Sequence, residues 1–125
     1  MAPRLAFPAK RRLRKRRQFL AVAAGGRRLG GKHFLFFVHR QETGPSSVAG
    51  EARFGITVTR KIGNAVIRNR VKRIVREGCR RSAALFPAGL DLVIVARPSA
   101  ASAGSAEAAD EIAQLARRIA SELGR

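Results

Sequence analysis

Apolar and polar positions along the 125-residue chain change period several times, and each change marks an element. From Arg14 to Ala24 the spacing of Phe19 and Val22, one turn apart, predicts a short helix that ends at Gly25-Gly26. The aromatic run His33 to His39 predicts a strand. Arg53 to Thr59 predicts a second, with Phe54, Ile56 and Val58 on one side and Gly55, Thr57 and Thr59 on the other. Asn64 is placed to cap a helix on which Ile67, Val71, Ile74 and Gly78 recur at helical spacing and Val75 widens the stripe. Leu85-Phe86-Pro87-Ala88-Gly89 breaks that helix. Asp91 to Arg97 then runs apolar without alternation, the pattern of a strand buried on both faces. Pro98 to Gly104 reads as a linker of small residues. A last helix spans Ser105 to Leu123 and buries Ile112, Leu115, Ala116, Ile119 and Leu123. The predicted order is α-β-β-α-β-α.

The second strand implies a sheet with one apolar, covered face and one open face of small and polar residues. If Phe34, Phe36 and Val38 share the covered side, Leu35, Phe37 and His39 lie on the open one. An open Phe37 can stack unpaired bases; it can equally be covered by the N-terminal helix. Phe19 reads as the anchor of its helix to the core. Gln41 to Gly50 carries no motif. The basic stretch from Lys10 to Arg17 predicts a loose arm, residues 1–13, ahead of a single domain over residues 14–125.

Charge changes the picture from a generic α+β domain to one with a polyanionic partner. Lys and Arg number 26 against 8 Asp and Glu, a net charge of +18, and a compact body of this size repels itself unless an anion neutralises it. Apolar residues at 46% are far too many for a disordered basic tail. No apolar run approaches the roughly 20 residues that span a bilayer, and the first ten residues lack the apolar core of an export signal, so a nucleic acid in the cytoplasm is the expected partner. The lone Cys79 forms no internal disulfide, in keeping with a reducing compartment, and reads as a packing residue.

The cations concentrate on one helix. Residues 60–81 carry Arg60, Lys61, Arg68, Arg70, Lys72, Arg73, Arg76, Arg80 and Arg81 against the single acid Glu77. A charge run is ordinarily a solvated helix face. Here like charges at i,i+3 and i,i+4 oppose the helix by ~0.2–0.5 kcal/mol per pair, and one glutamate cannot serve them all. Such a helix gains when phosphates occupy it, and arginine's planar fork grips phosphate oxygens in pairs. Four of the eight acids lie instead in the last helix, so the positive potential belongs to the first two thirds of the chain.

Catalysis by the chain alone is not expected. Glu42, Glu51, Glu77 and Asp91 lie in unrelated settings, whereas two-metal hydrolysis needs converging carboxylates. His33 and His39 have no companions at metal-ligand spacing, and no phosphate loop of the Walker or dinucleotide type is present.

The segment Phe54-Gly55-Ile56-Thr57-Val58-Thr59-Arg60-Lys61-Ile62-Gly63-Asn64-Ala65-Val66-Ile67-Arg68-Asn69-Arg70-Val71-Lys72-Arg73 resembles the signature of the protein subunits of bacterial ribonuclease P, Arg-Asn-Arg motif included. Arg12-Leu13 with Phe19 and Val22, and the late Asp-apolar-Ala-Arg-Pro strand with its closing helix, agree, so the resemblance covers roughly Arg12 to Leu123. It implies a two-layer α/β sandwich with a mixed sheet and a left-handed βαβ crossover. It implies an accessory role in removing the 5′ leader of precursor tRNA, with the catalytic Mg²⁺ held by the RNA subunit and no metal or catalytic residue in this chain. The partners would be the ribonuclease P RNA and precursor tRNA, with no membrane and no small-molecule substrate.

The resemblance further implies that Arg60, Lys61, Asn64, Arg68, Asn69, Arg70, Lys72, Arg73, Arg76 and Arg80 face the catalytic RNA. Phe19, Phe37, Arg14, Thr57 and Thr59 would line a cleft for the single-stranded leader. Ala23 stands where many relatives have a second aromatic, which leaves less stacking area. Two other classes compete: a ribosomal or other structural RNA-binding protein without a processing role, and an autonomous metal-dependent nuclease, against which the scattered carboxylates argue.

Overall fold

A computed structural model describes residues 22, 26–41 and 52–123. Four strands form one mixed sheet: β1 (Arg27–Gly30), β2 (Phe34–Arg40), β3 (Arg53–Thr57) and β4 (Leu90–Ala96), in the order β1-β2-β4-β3. β1 pairs with β2 and β2 with β4 antiparallel, while β3 lies parallel to β4. Helix α1 (Ala65–Arg81) forms the crossover between those parallel neighbours, and α2 (Ser105–Leu123) closes the chain. Both helices pack on one face of the sheet, in a core that joins Phe34, Phe36, Phe54, Leu92 and Ile94 to Val71, Val75, Ile112, Leu115 and Ile119. This is the expected α+β fold of two layers.

Alternation in β2 puts Phe34, Phe36 and Val38 in the core and leaves Leu35, Phe37 and His39 half-buried on the other face, as the pattern requires. β4 is buried along almost its whole length because it lies between two strands and beneath the helices. Gly78 explains how the helices approach: a Cβ there would stand 2.5 Å from Ile112 Cδ1, so only glycine allows α2 so close. Cys79 is buried beside it, the packing residue expected.

Four details differ from the sequence expectation. β1 has a single core residue, Leu29, in a charged tetrapeptide, so no alternation announces it; pairing with β2 makes it a strand. β2 runs one residue later than expected because His33 is occupied by polar contacts before the ladder begins. β3 ends at Thr57, two residues early, where the chain turns toward a 3₁₀ turn, Arg60–Ile62. The Pro98–Gly104 linker is in large part a 3₁₀ helix, Pro98–Ser102, started by Pro98. The Arg14–Ala24 helix falls almost wholly outside the described residues; Val22 alone is described, helical and buried. The 1–13 arm and the side chain of Leu123 also lie outside them.

Two acids of α2 tie the β1–β2 turn down. Glu111 accepts from the backbone N–H groups of His33 and Phe34 at 2.9–3.0 Å. Buried His33 bridges Ser99 Oγ (2.8 Å, Nδ1) and Glu107 Oε2 (2.9 Å, Nε2). The hydrogen bond from His33 holds the Glu107 carboxyl below the ordinary carboxylate pKa, and Lys32 adds to the effect. Glu107 and Glu111 thus serve the fold.

Candidate nucleic-acid interface

The cationic surface is built by a turn and a helix in series. Buried Ile62 anchors the 3₁₀ turn, which leaves Arg60 and Lys61 exposed. Gly63 follows at φ 154°, a conformation side chains rarely adopt, and a Cβ there would press on Ile67 at 3.0 Å. The Asn64 side chain then accepts from the Ile67 N–H at 3.0 Å and caps α1. Its carbonyl oxygen therefore works for the helix.

On α1, seven cations meet one acid: Arg68, Arg70, Lys72, Arg73, Arg76, Arg80 and Arg81 against Glu77. Asn69, Arg73, Arg76 and Arg80 are exposed along one stripe, headed by Val66, while Arg68, Arg70 and Lys72 are half-buried at its margins. Glu77 pairs with Arg80 through two hydrogen bonds (3.0 and 2.6 Å) and with Arg81 at 3.3 Å. That carboxylate raises the Arg80 pKa further. Arg60, Lys61, Arg68, Lys72, Arg73 and Arg76 have no acid at pairing distance among the described residues. Arg68 Nε is buried and has no acceptor there either.

Arg70, second arginine of the motif, is placed differently. Its Nη1 donates to Ala101 O at 3.0 Å and its Nη2 to Ala103 O at 2.8 Å, at the end of the Pro98–Ser102 3₁₀ helix. Its fork ties α1 to the chain entering α2.

The open face of the sheet is a second surface. Its central row is Arg28–Phe37–Val93–Gly55, flanked by Gly30–Leu35–Val95–Thr57 and by His39–Asp91–Arg53. Phe37 is half-buried and packs with Val95 on the buried pair Val22 and Val93, so the two readings of Phe37 meet: one side is covered, the rest is open. Thr57 lies on this face; Thr59 is exposed beyond the strand. Arg53 closes one end with a two-bond pair to buried Asp91 (2.8 and 2.7 Å), which raises the arginine's pKa. Phe19, Arg14 and Ala23 lie outside the described residues.

Among the described residues no group of three or more His, Cys, Asp or Glu stands where it could hold a metal ion. No described helix is long and apolar enough to cross a membrane.

A family model described as Ribonuclease P matches residues 7–120. The chain belongs to the ribonuclease P protein family. It is 41% identical over 123 residues to the ribonuclease P protein component of Desulfovibrio desulfuricans, an alignment covering 96% of this chain and 91% of that one. To the protein component of Brevibacillus brevis it is 48% identical over 89 residues, 70% of this chain and 65% of that one. The solved ribonuclease P protein of Thermotoga maritima superposes with a TM-score of 0.75 at 31% identity, over 86% of this chain and 96% of that one. Family membership makes this chain the protein component of an endoribonuclease ribonucleoprotein that processes tRNA, and it sets aside the ribosomal alternative.

Proposed function

We propose that α1 and the preceding 3₁₀ turn hold the catalytic RNA, and that the open sheet face receives the single-stranded 5′ leader of precursor tRNA. The observation that carries this reading is the set of six cations, Arg60, Lys61, Arg68, Lys72, Arg73 and Arg76, that have no acidic partner among the described residues. The buried Nε of half-buried Arg68 adds a donor with no acceptor among the described residues. Phosphate oxygens supply both the charge and the acceptors. Asn69 stands in the same stripe, where a neutral amide can bond sugar or base edges as well as phosphate.

On the second surface, half-buried Phe37 shares a row with Val93 and Gly55 beside Thr57, and its ring is offered to an unpaired base. Stacking there is sequence-tolerant, which suits a subunit that meets many leaders. Phe19, Arg14 and Thr59 complete this cleft in the proposal. Bond cleavage belongs to Mg²⁺ held by the RNA subunit, and this chain supplies fixed cations that lower the divalent ion concentration the RNA needs. The work is placed in the cytoplasm.

Reconstitution with the cognate RNA decides the matter. At low Mg²⁺ the protein should stimulate 5′ maturation strongly, and the stimulation should fade as Mg²⁺ rises. Absence of stimulation at any Mg²⁺ would end the reading, and cleavage by the purified protein alone would replace it with an autonomous nuclease.

A further inference from the structure

The helix that carries the cations is anchored unevenly along its length. The fully buried residues of α1 are Val71, Val75, Gly78 and Cys79, all from Val71 onward. Ahead of them, half-buried Ile67 is the apolar side chain that packs on the core, while Ala65, Val66 and Asn69 are exposed. The Arg70 fork acts on this loosely held end. Its Nη1 and Nη2 hold Ala101 O and Ala103 O at 3.0 and 2.8 Å. Neither carbonyl accepts a backbone N–H among the described residues, so the guanidinium fills acceptors that the end of the Pro98–Ser102 helix leaves open. The far side of the tie is fixed. Ala100 and Ala103 are buried, Ser99 Oγ meets buried His33 Nδ1 at 2.8 Å, and the Arg97 N–H donates to His33 O at 2.8 Å. The same 3₁₀ helix packs against the Arg60–Ile62 turn. One guanidinium thus joins the start of α1 to the segment on which Arg60 and Lys61 also rest.

We propose that Arg70 is a positioning residue for the catalytic RNA and not a phosphate contact. Its fork sets the angle at which the first turns of α1 leave the body, and with it the spacing between Arg60–Lys61 and Arg68–Asn69. This inference rests on the proposed function, in which α1 meets that RNA. Arginine is needed for its shape: a planar fork donates to two carbonyls at once, whereas a lysine ammonium of equal charge holds one. A phosphate that claimed the paired edge of the fork would have to displace both carbonyls. Repulsion among Arg68, Lys72 and Arg73 strains the same end of the helix, and the tie opposes it. Arg68, whose Nε has no acceptor among the described residues, keeps its hydrogen bonds for the RNA.

The test measures equilibrium binding of full-length variants to the catalytic RNA over a salt series, below each variant's thermal midpoint. R70A and R70K should both weaken binding roughly tenfold, the size of one lost charge-assisted bond, and both should keep the salt exponent of the parent. R68A removes a phosphate contact and should lower that exponent by about 0.7–0.9. P98G loosens the 3₁₀ helix without altering any charge or α1 itself. It should weaken binding severalfold with the exponent unchanged, and add little to R70A, because both changes break one tie. Hydrogen exchange of the free protein supplies a second readout: amides from Asn69 to Val71 should lose protection in R70A and R70K while those from Val75 to Cys79 keep theirs. Parental binding by R70K, or an exponent that falls by about 0.7–0.9 in R70A, overturns the proposal, since Arg70 would then act as a charge on a phosphate. If R68A and R73A/R76A also leave binding unchanged, α1 does not meet the RNA and the proposed function fails. If those variants weaken binding and R70A does not, the positioning role alone fails.

Discussion

Arg68 and Arg70 are two positions apart on α1 yet meet different surroundings. The Arg70 fork fills two backbone carbonyls at the end of the Pro98–Ser102 3₁₀ helix, whereas Arg68 finds no acceptor for its Nε. Hydrogen bonds from a charged donor are worth ~1.5–3 kcal/mol when buried, and partial exposure reduces that. R70A should therefore destabilise the fold by about 1–2 kcal/mol, while R73A, on the exposed stripe, should stay within about 0.5 kcal/mol. Equilibrium urea unfolding of the two variants checks the contrast. The sequence shows both arginines on a cationic helix; it does not show that the segment after Pro98 folds back as a 3₁₀ turn with its carbonyls under Arg70.

Glu107 gives a pH dependence at the same scale. Hydrogen bonding from His33 lowers its folded-state pKa. Its contribution is thus complete above the unfolded carboxylate value, about 4.3, and fades as the pH falls through the lowered value. E107Q should have a flatter fall of thermal midpoint between about pH 5 and pH 3 than the parent chain. Identical acid limbs would show that this carboxyl is not linked to folding.

Among the elements, α1 and α2 were legible because each presents a continuous apolar stripe on a polar helix. β2, β3 and β4 were legible from alternation or unbroken apolarity. β1 was not, since four residues with one buried side chain carry no periodic signal and only the partner strand defines them. The helix pair offers a test of its own. G78A forces a methyl group against Ile112 Cδ1, and overpacking of this kind costs ~1–3 kcal/mol. The denaturation midpoint should drop with the slope unchanged, and a neutral result would mean that α1 and α2 separate more easily than their packing indicates.

Over the whole molecule, charge and stability are carried by different parts. Acids are drawn into fold-holding contacts: Asp91 with Arg53, Glu107 with His33, Glu111 with the start of β2, Glu122 with Arg27. The cations of α1 and its leading turn remain largely without such partners, which concentrates positive potential on one surface. A helix that carries this repulsion when free should gain stability in complex, as any ligand bound only by the folded state confers. The family's RNA partner fits that requirement, and the sequence alone showed the imbalance because it depends on composition more than on geometry.

The most direct measurement is the salt dependence of binding to the catalytic RNA. If the six unpaired cations each meet a phosphate, log K should fall against log salt with a slope of roughly 4–5, and R73A/R76A should reduce it by about 1.5 with the fold intact. A slope below about 1, or one that the double variant leaves unchanged, would contradict the assignment of this helix to the RNA.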